Sequence, residues 1–217
     1  MTMSRLNTPF LTAFLLALVM LPWQAHADAF DDELLAIQTR WAEIQYQSPE
    51  DQRAKQFETL QQRTQSFAQR HPQRPEAKIW DGIVLSTWAG VKGGLGALSL
   101  VKSARADFEQ AIKQDPSSLD GSALTSLGSL YYQVPGWPIG FGDDDKAREL
   151  LTRALELNPD GIDSNYFYAD YLLNQGNDSE ARRYFNKALQ APPRPQRPLA
   201  DQGRQQEIRD KLKQLDS

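Results

Sequence analysis

The segment from Pro159 to Pro193 constrains the fold most, because small, large apolar and proline residues recur in it at the spacing of paired helices. Gly176 lies near its middle and predicts a turn between the two helices. The residues that define the pattern are Ala169, Leu172, Ala181, Phe185, Ala188 and Pro193. Small residues let two helices approach, a large residue fills the space between them, and proline cannot continue a helix. The segment therefore predicts an antiparallel helix pair that ends at Pro193.

This spacing resembles that of the tetratricopeptide repeat, a helix–turn–helix unit of 34 residues. Counted from Ile162, the six residues fall at the places where that family has its signature residues. The resemblance implies an all-α fold, a right-handed α-solenoid of stacked helix–turn–helix repeats with a C-terminal capping helix. It also implies a protein that binds partners, since members of the family are rarely enzymes.

Two further copies precede this repeat, so residues 73–193 predict three tetratricopeptide-like repeats. The nearer copy is formed by Leu127, Gly128, Tyr131, Ala147, Leu151, Ala154 and Pro159, and the earlier one by Leu85, Ser86, Ala89, Ala104, Phe108, Ala111 and Pro116. Both copies have extra residues between their two helices, within Gln133–Asp143 and Gly90–Gly96. Both segments are rich in glycine, so two enlarged turns are expected. Equivalent turns share one edge of a stacked solenoid, and these two should be neighbours.

The flanking segments predict helices that close the two ends of the stack. Residues 28–72 form an N-terminal helical pair, either a degenerate repeat or a cap, in which Ser48-Pro49-Glu50 opens the second helix. Residues 194–217 comprise a proline-rich connector and a capping helix with a narrow apolar stripe. The charged faces of that helix are most simply solvated, although Arg194 and Arg197 could contact an anionic partner.

Residues 1–27 have the features of a cleaved signal peptide. Arg5 precedes an apolar run from Leu11 to Leu21, and Ala25-His26-Ala27 supplies the small residues that signal peptidase requires. The run is too short for a confident membrane span, so no integral span is expected after cleavage; a retained N-terminal anchor is the alternative. Without a cysteine the N-terminus cannot be lipidated. We therefore expect an exported, soluble, periplasmic protein.

Composition argues against several classes of function. The formal net charge is −4, and cleavage would remove Arg5 but no acidic residue, so binding to nucleic acid is not expected. The mature chain would have no cysteine and one histidine, His71, which precedes Pro72 where a helix should end. Common zinc sites and the usual nucleophile pairs are therefore missing, and no metal, cofactor or catalytic residue is expected. The run Asp143–Asp145 is expected to cap a helix rather than to bind a cation.

The resemblance implies groove-binding residues, because in tetratricopeptide proteins the first helix of each pair lines a concave groove. They are Trp80, Thr87, Thr125, Ser129, Tyr132, Asp163, Tyr166 and Asp170. Aromatic rings with carboxylates would suit a peptide, or an apolar ligand with a cationic group. Burial in the core is the alternative for Tyr132 and Tyr166. Asp163 and Asp170 lie on one helix face, where groove polarity is favoured over a catalytic carboxylate pair.

Trp137 and Phe141 in the segment VPGWPIGFG offer more apolar area than an exposed turn needs. One interpretation is that Trp137 packs over the ends of the helices and seals them. The other is that the segment forms a lid or the wall of a pocket together with Gly93 and Gly94 of the earlier insertion.

Two functions remain open. The first is a periplasmic, non-enzymatic module that holds a protein or peptide partner in the concave groove. The second is a transport-associated subunit that binds a small ligand. The sequence VPGWPIGFGD after Gly128-x-x-Tyr131 resembles the T component of tripartite ATP-independent periplasmic transporters, which implies a periplasmic solute-binding protein as a partner. A closed apolar cavity beneath Trp137 would favour the small ligand, and an open groove would favour a peptide.

Overall fold

The computed structural model describes residues 21–216, and all regular secondary structure in that range is helical. The helices are α1 (Leu21–Gln47), α2 (Glu50–Arg70), α3 (Pro75–Lys92), α4 (Gly94–Gln114), α5 (Ser118–Gln133), α6 (Asp144–Leu157), α7 (Ile162–Asn174), α8 (Asp178–Leu189) and α9 (Pro198–Leu215). The predicted n-region and nearly all of the predicted apolar run lie outside the described residues. The predicted cleavage site after Ala27 falls within α1, and cleavage stays a prediction.

Proline, glycine and aspartate set several of the helix ends. Pro75 and Pro198 occupy the first positions of α3 and α9, where the missing N–H group leaves no helical hydrogen bond unmade. Asp143 caps α6, because its carboxylate accepts a hydrogen bond from the Lys146 amide at 3.1 Å. Gly176 follows α7 with a φ of 74°, a conformation that glycine adopts at little cost. These helix ends are therefore local properties of the sequence.

The helices form two layers of antiparallel pairs. The first helices of the pairs, α1, α3, α5 and α7, contact one another in that order, and we call them the inner helices. The second helices α2, α4 and α6 each contact the inner helix of their own pair and that of the next pair. This is the arrangement of a helical-repeat solenoid, and the predicted all-α fold is confirmed.

Small residues allow the helices of a pair to pack closely. A Cβ atom at Gly128 of α5 would lie 2.7 Å from Cγ of Leu151 in α6, so this approach requires glycine. In the α7–α8 pair, Ala169 and Ala181 are fully buried in one apolar cluster with Phe185. The pattern of small and large residues thus produces the packing of these two pairs.

The α3–α4 pair differs from the prediction in its register and in its turn. A Cβ atom at Gly82 would lie 2.6 Å from the ring of Phe108. Gly82 is therefore the small residue that faces Phe108, whereas the sequence pattern predicted Ser86 in this role. The expected enlarged turn at Gly90–Gly96 is wrong, because these residues extend both helices and Gly93 alone separates them. Gly93 and Gly94 both have a φ of 62°, and these two residues reverse the chain between the helices.

The second predicted insertion is a true loop between α5 and α6. Its glycines permit close backbone contacts, since a Cβ atom at Gly142 would collide with the carbonyl oxygen of Val134. Phe141 packs inward against Tyr131, with ring centroids 5.6 Å apart. Trp137 lies at the tip and is 90% exposed, so the expectation that it seals the helix ends is wrong. The tight glycine turns direct Phe141, rather than Trp137, toward α5.

The C-terminal helix also contacts the opposite end of the stack. α9 packs on α7 and α8, which precede it, and on α1. Ala200 is buried in one apolar cluster with residues of α1, α2 and α3, whereas Ile208 is buried with residues of α7 and α8. Gly203 lies so close to Tyr46 of α1 that a Cβ atom would collide with the tyrosine ring. α9 therefore crosses the face of the inner helices and joins the first helix pair to the last, which the prediction of a terminal cap did not include.

Candidate functional site

A cavity of about 710 Å³ lies between the inner helices and α9. Its walls come from all four inner helices, from the connector between α8 and α9, and from the first half of α9. Aromatic, hydroxyl, amide and charged groups line it. The principal ones are Trp41, Gln45, Tyr46, Trp80, Ser86, Thr87, Ser122, Thr125, Ser126, Ser129, Asp163, Arg194, Arg197, Arg204 and Glu207. We call this space the central cavity.

Two tryptophans and a row of hydroxyl groups form the wall on α1, α3 and α5. Trp41 Nε1 donates a hydrogen bond to Thr87 Oγ1 at 2.9 Å. The rings of Trp41 and Trp80 meet edge to face, with their centroids 6.0 Å apart. The hydroxyl groups of Thr125 and Ser129 donate to carbonyl oxygens of their own helix. Their oxygen lone pairs remain available as acceptors. Trp41 and Trp80 are only 7% and 2% exposed, so this wall offers the cavity mainly hydrogen-bond acceptors.

Asp163 of α7 and three arginines form the opposite wall. Arg194 Nη1 and Arg204 Nε donate to the Asp163 carboxylate at 2.7 Å and 2.9 Å, and Arg194 also pairs with Asp201 at 2.6 Å. Burial opposes ionisation of Asp163, but the guanidinium groups of Arg204 and Arg194 hold its pKa well below the usual range. Arg197 lines the cavity without an ion pair to any described residue. The network fixes the connector and α9 against α7.

Three predicted groove residues, Tyr132, Tyr166 and Asp170, lie outside the central cavity. The Tyr132 hydroxyl donates to Asp170 Oδ2 at 2.7 Å, and Lys211 of α9 pairs with Asp170 at 2.7 Å. Burial raises the pKa of Tyr132 well above its usual value. Tyr166 is buried, and Cζ of Arg204 lies 4.2 Å from its ring centroid. α9 thus covers Tyr166 and Asp170, the two predicted groove residues of α7 that lie outside the cavity.

The other five predicted groove residues meet at the central cavity. They are Trp80, Thr87, Thr125, Ser129 and Asp163. Reasoning from the repeat missed the residues that α1, the connector and α9 contribute, which include Gln45, Tyr46, Arg194, Arg197 and Arg204. The closely spaced arginines of the connector were the one signal in the sequence. Their acidic partner Asp163 lies far away in the chain, so no local spacing joins them.

The insertion residues do not form a shared pocket. Gly93 and Gly94 lie at the α3–α4 turn, where added Cβ atoms would meet nothing within 4 Å. Phe141 packs on α5, with the guanidinium of Arg105 5.0 Å from its ring centroid. Neither the two glycines nor Trp137 lines the central cavity. The predicted lid is therefore wrong for the described part of the chain.

The acidic residues are engaged in structural contacts. Asp143 caps α6, as predicted for the run Asp143–Asp145. Asp163 and Asp170 are held by different partners, arginines for the former and Lys211 with Tyr132 for the latter. Among residues 21–216, no group of three or more histidine or acidic side chains is placed to hold a metal ion. The arrangement favours binding of a ligand by hydrogen bonds, aromatic contact and charge.

Antiparallel helix pairs in two layers, with a ligand-sized cavity on the inner face, define a helical-repeat solenoid. A tetratricopeptide repeat family model matches residues 140–198, which include α6, α7 and α8. This part of the chain matches the tetratricopeptide repeat family, as the spacing predicted. A search of curated proteins finds no match. Within the described range, no helix has both the length and the apolar character needed to cross a membrane.

Proposed function

We propose that the protein is a non-enzymatic binding module that holds a short segment of a partner protein in the central cavity. The observation that supports this proposal is the position of the cavity, with five predicted groove residues in its walls. Helical-repeat proteins use this inner face to bind their partners. The tetratricopeptide repeat itself indicates a protein–protein interaction module.

The crossing by α9 limits how much of a partner can enter. A helix is about 10–12 Å across with its side chains, and it would need the groove that α9 already covers. Ligand sites in proteins commonly measure about 300–1,000 Å³, and the central cavity, at about 710 Å³, lies within that range. A few residues of an extended chain therefore suit the cavity better than a helix does.

Site-specific photo-crosslinking tests the proposal. A photoreactive amino acid at Gln38, which lines the cavity from α1, is compared with one at Glu58, an exposed position on α2. In periplasmic extract we expect discrete crosslinked species from position 38 and none from position 58. Ser126→Trp places an indole in the cavity and should abolish those species. Species that persist in this variant, or that form equally from both positions, would contradict the proposal.

We also propose that the protein acts in the periplasm. The support is the signal-peptide pattern of residues 1–27, with small residues at Ala25 and Ala27. Mass spectrometry of the protein from a periplasmic fraction should show a chain that begins at Asp28. A chain that retains Met1 and sediments with the membrane would contradict this location.

A transport-associated role is the second candidate, and the tip of the α5–α6 loop favours it. Trp137 is 90% exposed and Ile139 is 66% exposed, so a loop fixed by glycine contacts presents apolar surface to the outside. In this role the partner is a periplasmic solute-binding protein, as the resemblance of the loop implies. A photoreactive amino acid at Ile139 should then capture such a protein. Capture from Gln38 alone would leave only the first candidate.

A further inference from the structure

We infer that the central cavity binds an uncharged carbohydrate, a ligand the size of one or two sugar rings. A carbohydrate ligand goes beyond the proposed function, because it would compete with a segment of a partner protein for the same cavity. Three properties of the lining support it: the hydrogen-bond acceptors of one wall, the balance of unpaired charge, and the presence of half-buried apolar groups.

The wall on α3 and α5 presents hydrogen-bond acceptors to the cavity. Five hydroxyl groups there each donate their single proton to a carbonyl oxygen of their own helix. They are those of Ser86, Thr87, Ser122, Thr125 and Ser129. A hydroxyl group has one proton and two lone pairs, so these oxygens can only accept a hydrogen bond from a ligand. Ser86, Thr87 and Ser122 are half-buried and therefore reachable from the cavity. A ligand on this wall needs several donors close together.

Other walls of the cavity supply donors. The guanidinium of Arg197 forms no ion pair with any described residue, and its Cζ atom lies 5.1 Å from the ring centroid of Trp80. Gln38 and Gln45 on α1 are half-buried, and an amide group both donates and accepts. A sugar carries a hydroxyl group on nearly every carbon, and each hydroxyl also does both. A sugar therefore pairs with the acceptor wall and with these donors at the same time.

The unpaired charges around the cavity cancel. Most charged groups of the lining have a partner of opposite charge, namely Asp31, Asp160, Asp163, Arg194, Arg204 and Glu207. Among the described residues of the lining, Arg197 and the exposed Asp120 are the charged groups without an ion pair. A ligand with a net charge would be attracted by one of them and repelled by the other. An uncharged ligand meets no such repulsion.

A zwitterion such as a free amino acid is also neutral overall, but it fits the lining less well. Its ammonium group brings three N–H donors to a single point. The acceptor hydroxyls are instead distributed over two helices, α3 and α5. Half-buried Ile83 and Phe167 also line the cavity and offer apolar surface for the C–H groups of a sugar ring. The lining therefore favours a sugar over an amino acid.

Probes that share one ring and differ in charge test the carbohydrate site in the full chain. They are glucose, galactose and mannose, the corresponding uronates, and the corresponding amino sugars. Maltose and lactose serve as neutral disaccharides, and a pool of free amino acids serves as the zwitterionic probe. Saturation-transfer NMR and calorimetry measure binding. At least one neutral sugar should bind about tenfold more tightly than its uronate and its amino sugar.

A pair of serine substitutions locates the sugar. Ser86→Ala with Ser122→Ala removes two acceptor oxygens from the wall and adds no bulk. The matched control is Ser99→Ala with Ser103→Ala at exposed positions of α4, where Ser99 Oγ also donates to a carbonyl oxygen of its own helix at 3.0 Å. Binding of the neutral sugar should weaken about five- to a hundredfold in the first variant and change less than about twofold in the control. Thermal unfolding of both should match the wild type.

The outcomes separate the carbohydrate site from the proposed function. Tighter binding of a charged sugar or an amino acid, or no binding of any neutral sugar at about 10 mM, overturns the carbohydrate site. Undiminished binding in the Ser86→Ala, Ser122→Ala variant also overturns it. Photo-crosslinking from Gln38 is scored in parallel without sugar. Crosslinked species without sugar binding leave the proposed function standing, whereas sugar binding without crosslinked species overturns the proposed function alone.

Discussion

Replacing Asp81 with asparagine is expected to stabilise the protein at neutral pH and to have little effect on its stability at acidic pH. Asp81 is buried in α3 and accepts a hydrogen bond of 2.6 Å from the hydroxyl of Thr64 in α2. Asp107 of α4 lies nearby and is paired with Lys78 at 2.9 Å. Burial, aided by the charge of Asp107, raises the pKa of Asp81 from 3.8 to about 6. The ionised form is thus unfavourable in the folded state.

The size of the effect follows from the displacement of the pKa. At 1.36 kcal/mol for each pH unit, a rise from 3.8 to about 6 corresponds to about 3 kcal/mol. The folded state binds the proton more tightly than the unfolded chain, so stability falls as pH rises from about 4 to about 6. Above that window the wild type has lost the full amount. Asparagine has no charge to bury, and its amide oxygen can still accept the Thr64 hydrogen bond.

Thermal and chemical unfolding across pH 4 to 8 measure this difference. At pH 7.5 Asp81→Asn should unfold about 6–12 °C higher than the wild type, and the gap should close by about pH 4. The matched control is Asp120→Asn, because Asp120 is exposed and asparagine tolerates its left-handed backbone. A gap that does not change with pH, or a less stable Asp81→Asn at pH 7.5, would refute the assignment of a buried, protonation-sensitive carboxyl.

Three further predictions concern packing and charge. Gly128→Ala should lower the free energy of unfolding by about 1–3 kcal/mol, because the added Cβ atom would overlap Leu151. Gly90→Ala should raise the free energy of unfolding by about 0.5–1 kcal/mol, because its Cβ atom would meet nothing within 4 Å. Denaturant titration measures both changes. Trp137→Ser should leave the free energy of unfolding within about 0.5 kcal/mol of the wild type, since the ring is 90% exposed, and a larger loss would show that the ring packs on the protein. Asp163→Asn should cost about 2–3 kcal/mol at pH 7 by breaking the arginine network. Because the folded pKa of Asp163 is lowered, its contribution is complete above pH 4, and the difference from the wild type should narrow in more acidic solution.

The repeat architecture was predictable because its signals are local. Ala169, Ala181 and Phe185 occur at the spacing of a close helix pair, and all three are fully buried in the structure. The first repeat was misaligned by one helical turn because Ser86 satisfies the same requirement for a small residue as Gly82. The sequence does not show which of the two faces Phe108, since that depends on how far α3 extends. The glycines of Gly90–Gly96 predict a loop, but two successive glycines with positive φ, Gly93 and Gly94, are enough to join two long helices.

The central cavity was only half predictable. The inner helices supplied the expected residues because their places follow from the repeat. The crossing of α9 was not predictable, since it joins Gly203 to Tyr46 across most of the chain and no periodic pattern records such a contact. The stripe containing Ile208 indicated one buried face of α9 but not which helices would bury it.

A single engineered disulfide tests most directly whether α9 crosses the inner helices and contacts α1. The chain contains no cysteine, so Tyr46→Cys with Gly203→Cys permits one intramolecular disulfide, and removal of the tyrosine ring leaves room for both sulfur atoms. We expect this pair to oxidise rapidly in a glutathione buffer and to shift the mobility of the denatured chain. A Tyr46→Cys, Lys113→Cys pair, which joins α1 to the end of α4, should stay reduced. A Tyr46→Cys, Gly203→Cys chain that remains a dithiol under the same conditions would contradict the closure of the inner face by α9.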